Sequence, residues 1–324
     1  MQYRKLGTSG VKLSTIGLGS YLTYGYKVDD DTARDCLRFA VEKGVNFIDT
    51  ANAYNRGGAE EALGRLLQEY PRDSCVLATK VWAPMGNGPN DRGLSRKHLF
   101  EQCHASLKRL RTDYIDLYQF HRFDPETPLD ESLRAIDDLC RQGKVLYWGT
   151  SEWAATQIIQ AKGICEQMGF QRPSSNQPRY NLYWRIPEHE VFPVCQEAGI
   201  GQVVFSPLAH GILTGKYQPG TPPPPGTRAA DPDQNAVMMK LYWNDDNLSK
   251  SQQFAAIARE MGATPAQLAL AWCLRQPILT SAITSGTRVS QLEENLKAAE
   301  ITVPDDVLTR LDELFPVPKG LEGV

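Results

Sequence analysis

Short runs rich in β-branched and aromatic residues recur along the chain, with amphipathic stretches between them. Such runs are typical of buried strands. The eight runs are STIGLGS from Ser14, VNFIDT from Val45, SCVLATK from Ser74, YIDLYQFH from Tyr114, VLYWGTS from Val145, PSSNQ from Pro173, QVVFSP from Gln202 and LTSAITSG from Leu279. The first seven start 28 to 40 residues apart and the eighth starts 77 residues later, so strands are predicted to alternate with helices.

Three of the intervening stretches have clear helix boundaries. SRKHLFEQCHASLKRL has Ser95 as an N-cap, and PLDESLRAIDDLCRQG stops at Gly143. TPAQLALAWCLRQ has Thr264 at the cap and Pro265 at the first helical position. Apolar stripes run along the first two stretches, at Leu99, Cys103, Leu107 and Leu110 and at Leu133, Ile136 and Cys140. These patterns predict amphipathic helices.

Strand followed by helix, repeated about every 30 residues, indicates βαβ units and a parallel sheet. Eight repeats favour a closed (β/α)8 TIM barrel, with residues 1–324 forming a single α/β domain. A doubly wound open sheet is the competing fold, but it predicts a GxGxxG turn after an early strand. The only approach to that motif is GLG at Gly17 to Gly19, which is too weak to support the open sheet.

Two segments depart from the repeat. QYRKLGTSGVKLS predicts an N-terminal β-hairpin that turns at Thr8-Ser9-Gly10 and covers one barrel end. The long loop after strand 7 contains QPGTPPPPGTRAADPDQNAVMM, and residues 217–250 are expected to form a lid or binding loop near the active face. A proline-rich ligand for a signalling domain is the less favoured alternative for this stretch.

Composition excludes several classes of protein. The formal net charge is −3 and no long basic block occurs, so nucleic-acid binding is not expected. The longest apolar stretches are strand-sized, and MQYRKLGTSG lacks the apolar region of a secretory signal, so neither membrane insertion nor export is expected. The seven cysteines are scattered, without a CxxC pair, which indicates reduced thiols and a cytoplasmic protein with no metal site.

Polar or aromatic residues stand at the C-terminal ends of six predicted strands, the face on which barrel enzymes place their chemistry. They are Asp49 and Tyr54, Lys80, His121, Ser151, Gln177 and Phe205. One polar residue at a strand end is more often a loop anchor than a catalyst. Polar side chains at the ends of five different strands together indicate an active site.

The residue types predict a particular reaction. A tyrosine titrates near pH 10, too high for an efficient acid at neutral pH. A lysine about 4 Å away would favour phenolate by on the order of 4 kcal/mol at an effective dielectric near 20, or about three pK units. Asp49 is expected to keep Lys80 charged, while His121 orients a carbonyl or shares the proton. Because no Ser–His pair or metal cluster is visible, the group that attacks the carbonyl carbon is expected to be a cofactor hydride.

Several motifs resemble the aldo-keto reductase superfamily: FIDTANAYNRG, ATK, the histidine of YQFHR, WGTSEW and FSPLAHGILTGKY. RGLSRKHLFEQCHASLKRL, YWGTSEW, GKY and AIAREMGATPAQLALAWCLR are similar to the potassium-channel β-subunit branch and its bacterial relatives. The resemblance implies a catalytic tetrad of Asp49, Tyr54, Lys80 and His121, with Tyr54 as the acid. It implies an NADPH-dependent oxidoreductase that reduces a small aldehyde or ketone.

Two alternative functions stay open. The first is a channel β-subunit-like partner that binds NADP(H) with little turnover. That branch carries asparagine where this chain has His121, which favours a working enzyme. The second is a Schiff-base lyase with Lys80 as the nucleophile, which would leave Gln177, Phe205 and the segment 285–295 without a role. Whether the protein is a monomer or a homo-oligomer is not decided by any feature of the sequence.

The resemblance also implies a cofactor site. Ser151 and Gln177 would contact the nicotinamide carboxamide, and Phe205 would stack where the branch often has tryptophan. The other expected contacts are Ser20, Tyr21, Asp49, Ser206, Pro207, Leu208, Gly211, Lys216, Arg228, Ser285, Thr287, Arg288, Gln291, Glu294 and Asn295. Arg288 is the candidate for the 2′-phosphate, with a solvated surface arginine as the alternative. Tyr21, Tyr24 and Trp82 are candidates for the substrate pocket, with packing at the barrel rim as the alternative.

Overall fold

A closed barrel of eight parallel strands forms the centre of the computed structural model, which describes residues 1–318. The barrel strands are β3 (Ile16–Gly19), β4 (Phe47–Asp49), β5 (Val76–Val81), β6 (Ile115–Phe120), β7 (Val145–Ser151), β8 (Ser175–Gln177), β9 (Gly201–Val204) and β10 (Leu279–Thr284). They pair in chain order, and β10 closes the ring onto β3. The predicted (β/α)8 TIM barrel is therefore confirmed.

Helices surround the barrel. They are α1 (Asp30–Glu42), α2 (Gly58–Leu66), α3 (Arg96–Leu110), α4 (Leu129–Arg141), α5 (Ala155–Met168), α6 (Val191–Ala198), α7 (Pro232–Leu241), α8 (Asp245–Glu260), α9 (Pro265–Leu274), α10 (Val289–Leu296) and α11 (Asp305–Leu314). Short 3-10 turns span Tyr54–Gly57, Leu67–Glu69, Arg72–Ser74, Ile186–Glu188, Ala209–Thr214, Arg228–Ala230 and Lys297–Glu300.

The helix boundaries predicted from caps are confirmed. The Ser95 hydroxyl accepts a hydrogen bond from the His98 N–H at the start of α3. Thr264 and Gln267 form a reciprocal capping box at the start of α9, with Pro265 in the first turn. Gly143 follows α4 with φ +70°, a left-handed conformation that favours glycine and ends the helix.

The N-terminal hairpin is also confirmed. Strands β1 (Tyr3–Lys5) and β2 (Lys12–Ser14) pair antiparallel, with Tyr3 opposite Ser14. The Arg4 guanidinium donates to the carbonyls of Leu274 and Leu279, where β10 begins. The Thr8 N–H donates to the Gly199 carbonyl just before β9. The hairpin therefore covers the amino ends of the strands and leaves their carboxyl ends open.

The segment after β9 differs from the predicted long loop. It contains α7 and begins α8, so only residues 205–231 are largely irregular, apart from two 3-10 turns. Lys27, in the connection after β3, pairs with Asp231 at 3.1 Å and Asp233 at 3.6 Å. The segment therefore extends from the end of β9 to the connection that follows β3. The prolines of this segment indicated irregular structure and therefore concealed the helices. Pro232 does not interrupt α7, because it stands in the first turn, where proline is tolerated.

Strand β5 shows how the barrel aims its side chains. All six of its residues are buried, because the barrel interior covers one face and helices cover the other. The Thr79 hydroxyl donates to Glu60 of α2 at 2.5 Å, so Thr79 faces outward. Side chains alternate along a strand, and Lys80 accordingly faces the interior. Glu60 also pairs with Arg109 of α3 at 2.6 Å, which makes a buried ion pair outside the barrel.

Candidate active site

The four side chains of the expected tetrad meet at the carboxyl ends of β4, β5 and β6. Asp49 ends β4, Lys80 is the fifth residue of β5, and His121 directly follows β6. Tyr54 opens the 3-10 turn that follows β4. Because these three strands are neighbours in the barrel, residues distant in sequence come to one mouth.

Lys80 is the centre of the cluster. Its side chain has 0% exposure, and its ammonium donates to Asp49 Oδ2 at 2.5 Å, to the Thr50 carbonyl at 2.8 Å and to the Tyr54 hydroxyl at 3.4 Å. These three contacts use the three ammonium protons and offset the loss of hydration on burial. A lysine enclosed in this way cannot reach a substrate carbon, which disfavours the Schiff-base alternative.

Tyr54 departs from the expected protonation behaviour. Lys80 was expected to lower the pKa of Tyr54, but burial of the phenol raises that pKa well above 10, and the Asp49 carboxylate raises it further. Arg122 opposes the shift only in part. The physical reason is that Asp49 offsets the Lys80 charge, while desolvation disfavours phenolate. Tyr54 is therefore a neutral phenol at pH 7, and its own proton stays available because the ammonium donates to the phenol oxygen.

His121 is an uncharged neighbour of this phenol. Burial, followed by the Lys80 and Arg122 charges, holds the pKa of His121 well below 6.5. Its ring stands edge-on to the Tyr54 ring, with centroids 5.9 Å apart. The buried Nδ1 atom has no hydrogen-bond partner among residues 1–318. A neutral imidazole can donate or accept one hydrogen bond without adding charge.

Gln177 connects the tetrad to the expected cofactor residues. Its Nε2 donates to Asp49 Oδ1 at 2.9 Å, so Asp49 bridges Lys80 and Gln177. This contact directs the amide nitrogen to Asp49, and no donor within the described part of the chain, residues 1–318, bonds to the Gln177 side-chain oxygen. The Ser151 hydroxyl donates to the Gln177 carbonyl at 2.9 Å, and both residues are buried.

Glu152 had no role in the sequence interpretation. Its N–H donates to the Gln177 carbonyl at 3.2 Å, and its carboxylate accepts from the Arg179 N–H at 2.6 Å. The residue holds a left-handed conformation, with φ +57°. These bonds join the ends of β7 and β8. Glu152 therefore fixes the spacing of Ser151 and Gln177.

The loop after β9 is a tight, left-handed turn. Positive φ angles recur at Ser206, Ala209, His210 and Gly211, and the Ala209 and Gly211 N–H groups donate to the Ser206 and Leu208 carbonyls within the loop. A Cβ added at Gly211 would lie 3.6 Å from Lys216 Nζ, so the loop and the ammonium are adjacent. The expected phosphate residues Ser206, Pro207, Leu208, Gly211 and Lys216 thus belong to one compact turn.

Aromatic and arginine side chains lie beside this loop. Phe205 is half-buried, and the Arg179 guanidinium lies 5.7 Å from its ring centroid. The Arg228 guanidinium lies 5.9 Å from the Tyr21 ring, which brings the long segment over the tetrad side of the mouth. Burial, together with Arg228 and Arg179, lowers the pKa of His210 to about 3.

The expected adenosine segment follows β10 and opens α10. Gln291 accepts from the Thr287 N–H at 2.8 Å. Arg288 occupies the N-cap position, is exposed and donates to the Ser290 hydroxyl at 3.1 Å. The buried Asn295 amide donates to Thr284 at 3.0 Å, and the Glu294 carbonyl accepts from Gln267 at 3.1 Å. Ser285 is half-buried at the end of β10. Arg288 is therefore available to an anion, while Asn295 is held by the protein.

A cleft of about 300 Å³ opens beside the tetrad. Its walls are Ser20, Tyr21, Leu22, Tyr24, Tyr26, Tyr54, Asn55 and Ala59. The Tyr21 ring is 45% exposed and lies 4.9 Å from the Tyr54 ring. Tyr24 is almost fully buried and contributes only part of the wall. Trp82 does not line this cleft, because its half-buried ring packs against the core under Arg92.

Sequence reasoning missed Arg122 and Arg179 as well as Glu152 and His210. The first three of these residues stand one or two positions beyond a strand-end residue that was identified, as Arg122 follows His121 and Arg179 follows Gln177 by two. A scan extended two residues past each strand end would have included the first three. His210 lies deeper in its loop, and only the folded backbone shows what surrounds it.

Within residues 1–318, no group of three or more histidine, cysteine, aspartate or glutamate side chains could hold a metal ion. Over the same residues, no helix has the length and apolar character needed to cross a membrane.

The chain is similar to known proteins over most of its length. The Aldo/keto reductase family model matches residues 15–315. A probable voltage-gated potassium channel subunit beta from Arabidopsis thaliana is 43% identical over 305 residues, covering 93% of this chain and 92% of its own. A protein of the same description from Oryza sativa subsp. japonica is 40% identical over the same shares. A putative voltage-gated potassium channel subunit beta from Schizosaccharomyces pombe is 39% identical over 321 residues, covering 97% of this chain and 93% of its own. The resemblance drawn from the motifs is confirmed.

Proposed function

Because the chain belongs to the aldo/keto reductase family, we propose that it reduces small aldehydes or ketones to alcohols with NADPH. One observation carries the proposal. Tyr54 is a neutral phenol whose oxygen accepts from the buried Lys80 ammonium at 3.4 Å, beside an open cleft. This arrangement leaves a proton on the phenol and a cation ready for the charge that develops when the proton departs.

The residues at the barrel mouth fit a nicotinamide dinucleotide. The Gln177 side-chain oxygen, freed because its nitrogen donates to Asp49, would accept from the carboxamide, with Ser151 beside it. Phe205 would supply a π-face for the nicotinamide. The left-handed turn from Ser206 to Gly211, with Lys216, would hold the pyrophosphate. When bound, NADPH supplies the hydride that adds to the carbonyl carbon.

The tetrad would supply the proton and hold the substrate. Tyr54 would donate its phenolic proton to the carbonyl oxygen. Lys80 would stabilise the resulting phenolate, and Asp49 keeps that ammonium in place at 2.5 Å. The neutral His121 would donate a hydrogen bond to the same carbonyl oxygen, since it lies beside the Tyr54 ring. No other acid is needed for the step.

A purified-protein assay tests this proposal. NADPH titration should show saturable binding, and a panel of simple aldehydes should then give loss of NADPH absorbance with alcohol formed in equal amount. Binding without turnover of any aldehyde or ketone would refute the reductase proposal.

The pH dependence of reduction follows from the two shifted groups. Tyr54 must be protonated to donate, and its pKa is raised well above 10, so kcat/KM should stay level between about pH 6 and 9 and fall only at higher pH. The pKa of His121 is held well below 6.5, so no inflection should occur between about pH 6 and 7. The measurement is kcat/KM for one neutral aldehyde at saturating NADPH. A decline centred near pH 7 would contradict the protonation states assigned here.

Arg288 would distinguish NADPH from NADH. It is exposed at the start of α10, and a planar guanidinium matches a phosphate dianion. Charge-assisted hydrogen bonds contribute about 1.5–3 kcal/mol, so Arg288→Ala should raise the Kd for NADPH by roughly tenfold to a hundredfold. The Kd for NADH should change less than about threefold. Lys297→Ala, at the other end of α10, is the matched control. Equal weakening of both cofactors would overturn the assignment.

The named relatives favour a second candidate, a cofactor-binding partner of a potassium channel with little turnover. Homo-oligomer formation would belong to this candidate. His121 stands against it, since the branch was expected to carry asparagine there. Aldehyde turnover by the purified chain separates the two, and its absence together with tight NADPH binding would favour the partner.

A further inference from the structure

Arg122 is a cation at the rim of the tetrad that no step of the reduction uses. It directly follows His121, is half-buried, and donates from Nη1 to the His121 carbonyl at 2.5 Å. This is the only side-chain hydrogen bond of Arg122 within residues 1–318, and no carboxylate of those residues lies within 4 Å of its guanidinium. One of its five N–H donors is therefore in use.

Other buried arginines of this chain have their charge or their donors occupied. Arg72 pairs with Asp116 at 2.5 Å, Arg109 with Glu60 at 2.6 Å, and Arg185 with Glu188 at 2.9 Å. Arg4 donates to three backbone carbonyls, while Arg179 lies over two aromatic rings. Arg122 has neither kind of environment. The exposed part of the Arg122 guanidinium can therefore offer its remaining N–H groups to a ligand.

The position of this charge points to the substrate. Arg122 directly follows His121 and donates to its carbonyl, so its charge lies at the tetrad end of β6 and within electrostatic range of Tyr54 and Lys80. Within the tetrad the Lys80 charge is balanced by Asp49 at 2.5 Å. Arg122 is thus a net positive charge beside the reacting centre. A substrate bound there would meet an uncompensated cation that is suited to bidentate contact with a carboxylate.

We propose that Arg122 binds the carboxylate of the substrate, so that the preferred substrates are carbonyl compounds that also carry a carboxylate group. The inference rests on the proposed reductase function and specifies its substrate class. The guanidinium would hold the carboxylate through its free N–H groups while Tyr54 donates to the carbonyl oxygen. A neutral ester of the same shape would lose the charge-assisted contact and keep the rest.

The test compares matched substrates in the wild-type protein and in Arg122→Met. The probes are the 2-, 3- and 4-carboxybenzaldehydes and their methyl esters, which differ in the charge and in its distance from the carbonyl. For at least one isomer, we expect the wild-type kcat/KM to exceed that of its ester by about tenfold or more, mainly through KM. In Arg122→Met this ratio should fall to near one, whatever the change in absolute rates. Arg92→Met, at an exposed arginine over Trp82, should keep the wild-type ratio.

Three results would overturn the inference. These are a ratio near one for every isomer in the wild type, a preference that survives Arg122→Met, and an equal loss in Arg92→Met. Arg122→Lys is a second test variant that does not depend on the methionine variant. It keeps the positive charge and removes the bidentate fork of the guanidinium. It should lower the ratio several-fold, and an unchanged ratio would also count against the inference. Failure of the wild type to reduce any of the esters or acids refutes the reductase function itself, so the two failures are distinguishable.

Discussion

Replacing Tyr54 with phenylalanine should lower kcat for aldehyde reduction by roughly a thousandfold, since a positioned general acid contributes about 10²–10⁴ to a rate. The hydroxyl accepts from Lys80 at 3.4 Å and is the one neutral proton donor of the tetrad that borders the cleft. NADPH affinity should change less than about threefold, because Tyr54 is not among the expected cofactor contacts. The measurements are steady-state kinetics and a cofactor titration with the same protein sample.

Tyr26→Phe is the matched control, because Tyr26 also lines the cleft and loses the same atom. Its kcat should stay within about threefold of the wild type. Loss of NADPH binding in Tyr54→Phe would show that the phenol holds the cofactor instead of donating a proton. Retention of full activity would remove Tyr54 from the mechanism.

Lys80→Met should have two effects of different origin. Removing one partner of a buried ion pair leaves the other charge uncompensated, which costs about 3–5 kcal/mol of unfolding free energy. The Lys80 ammonium is fully buried and pairs with Asp49 at 2.5 Å. It also donates to Tyr54, so kcat should fall by roughly a hundredfold or more in the fraction that stays folded. Urea unfolding and single-turnover kinetics measure the two effects separately.

Arg109→Met separates stability from chemistry. The Arg109–Glu60 pair is also buried, joins α2 to α3 and lies outside the barrel. Its loss should destabilise the fold by a comparable amount and leave kcat within about threefold at a temperature where the protein is folded. If both variants lost rate in proportion to stability, Lys80 would be a structural cation with no separate role in the reaction.

The features predicted from sequence are those set by local pattern. The eight strands, the hairpin and the caps at Ser95 and Thr264 each depend on a few neighbouring residues, and all are confirmed. Closure of the barrel follows from the number of repeats, and closure in turn places the carboxyl ends of β4, β5 and β6 side by side. The convergence of the tetrad was therefore accessible from sequence.

The features that were missed depend on three-dimensional proximity. The Gln177–Asp49 hydrogen bond joins residues 128 positions apart, and no spacing rule indicates it. The predicted direction of the Tyr54 pKa shift was wrong. Desolvation of the phenol and the Asp49 charge outweigh the Lys80 charge, and this balance depends on the three-dimensional positions of the groups. Trp82 follows a strand end but packs against the core and does not line the cleft.

The long segment after β9 was misjudged for a different reason. Proline-rich composition between Pro219 and Pro225 indicates irregular structure, and this holds up to the 3-10 turn at Arg228–Ala230. Composition carries little information about the residues that follow, where Asp231 caps α7 and Pro232 starts it. Judging the whole segment by its average composition obscured the local signal for the start of α7.

The most direct test of the central claim is the fate of a labelled hydride. NADPH with deuterium in place of both hydrogens at the nicotinamide C4 is mixed with the protein and a neutral aldehyde, and the alcohol is analysed by mass spectrometry. The geometry of Tyr54, Lys80, Asp49 and His121 predicts an alcohol that carries one deuterium on carbon, formed in equal amount to NADP⁺, and almost none with Tyr54→Phe. An alcohol without deuterium, or no alcohol from a protein that binds NADPH fully, would contradict the claim that these four side chains support hydride transfer to a carbonyl.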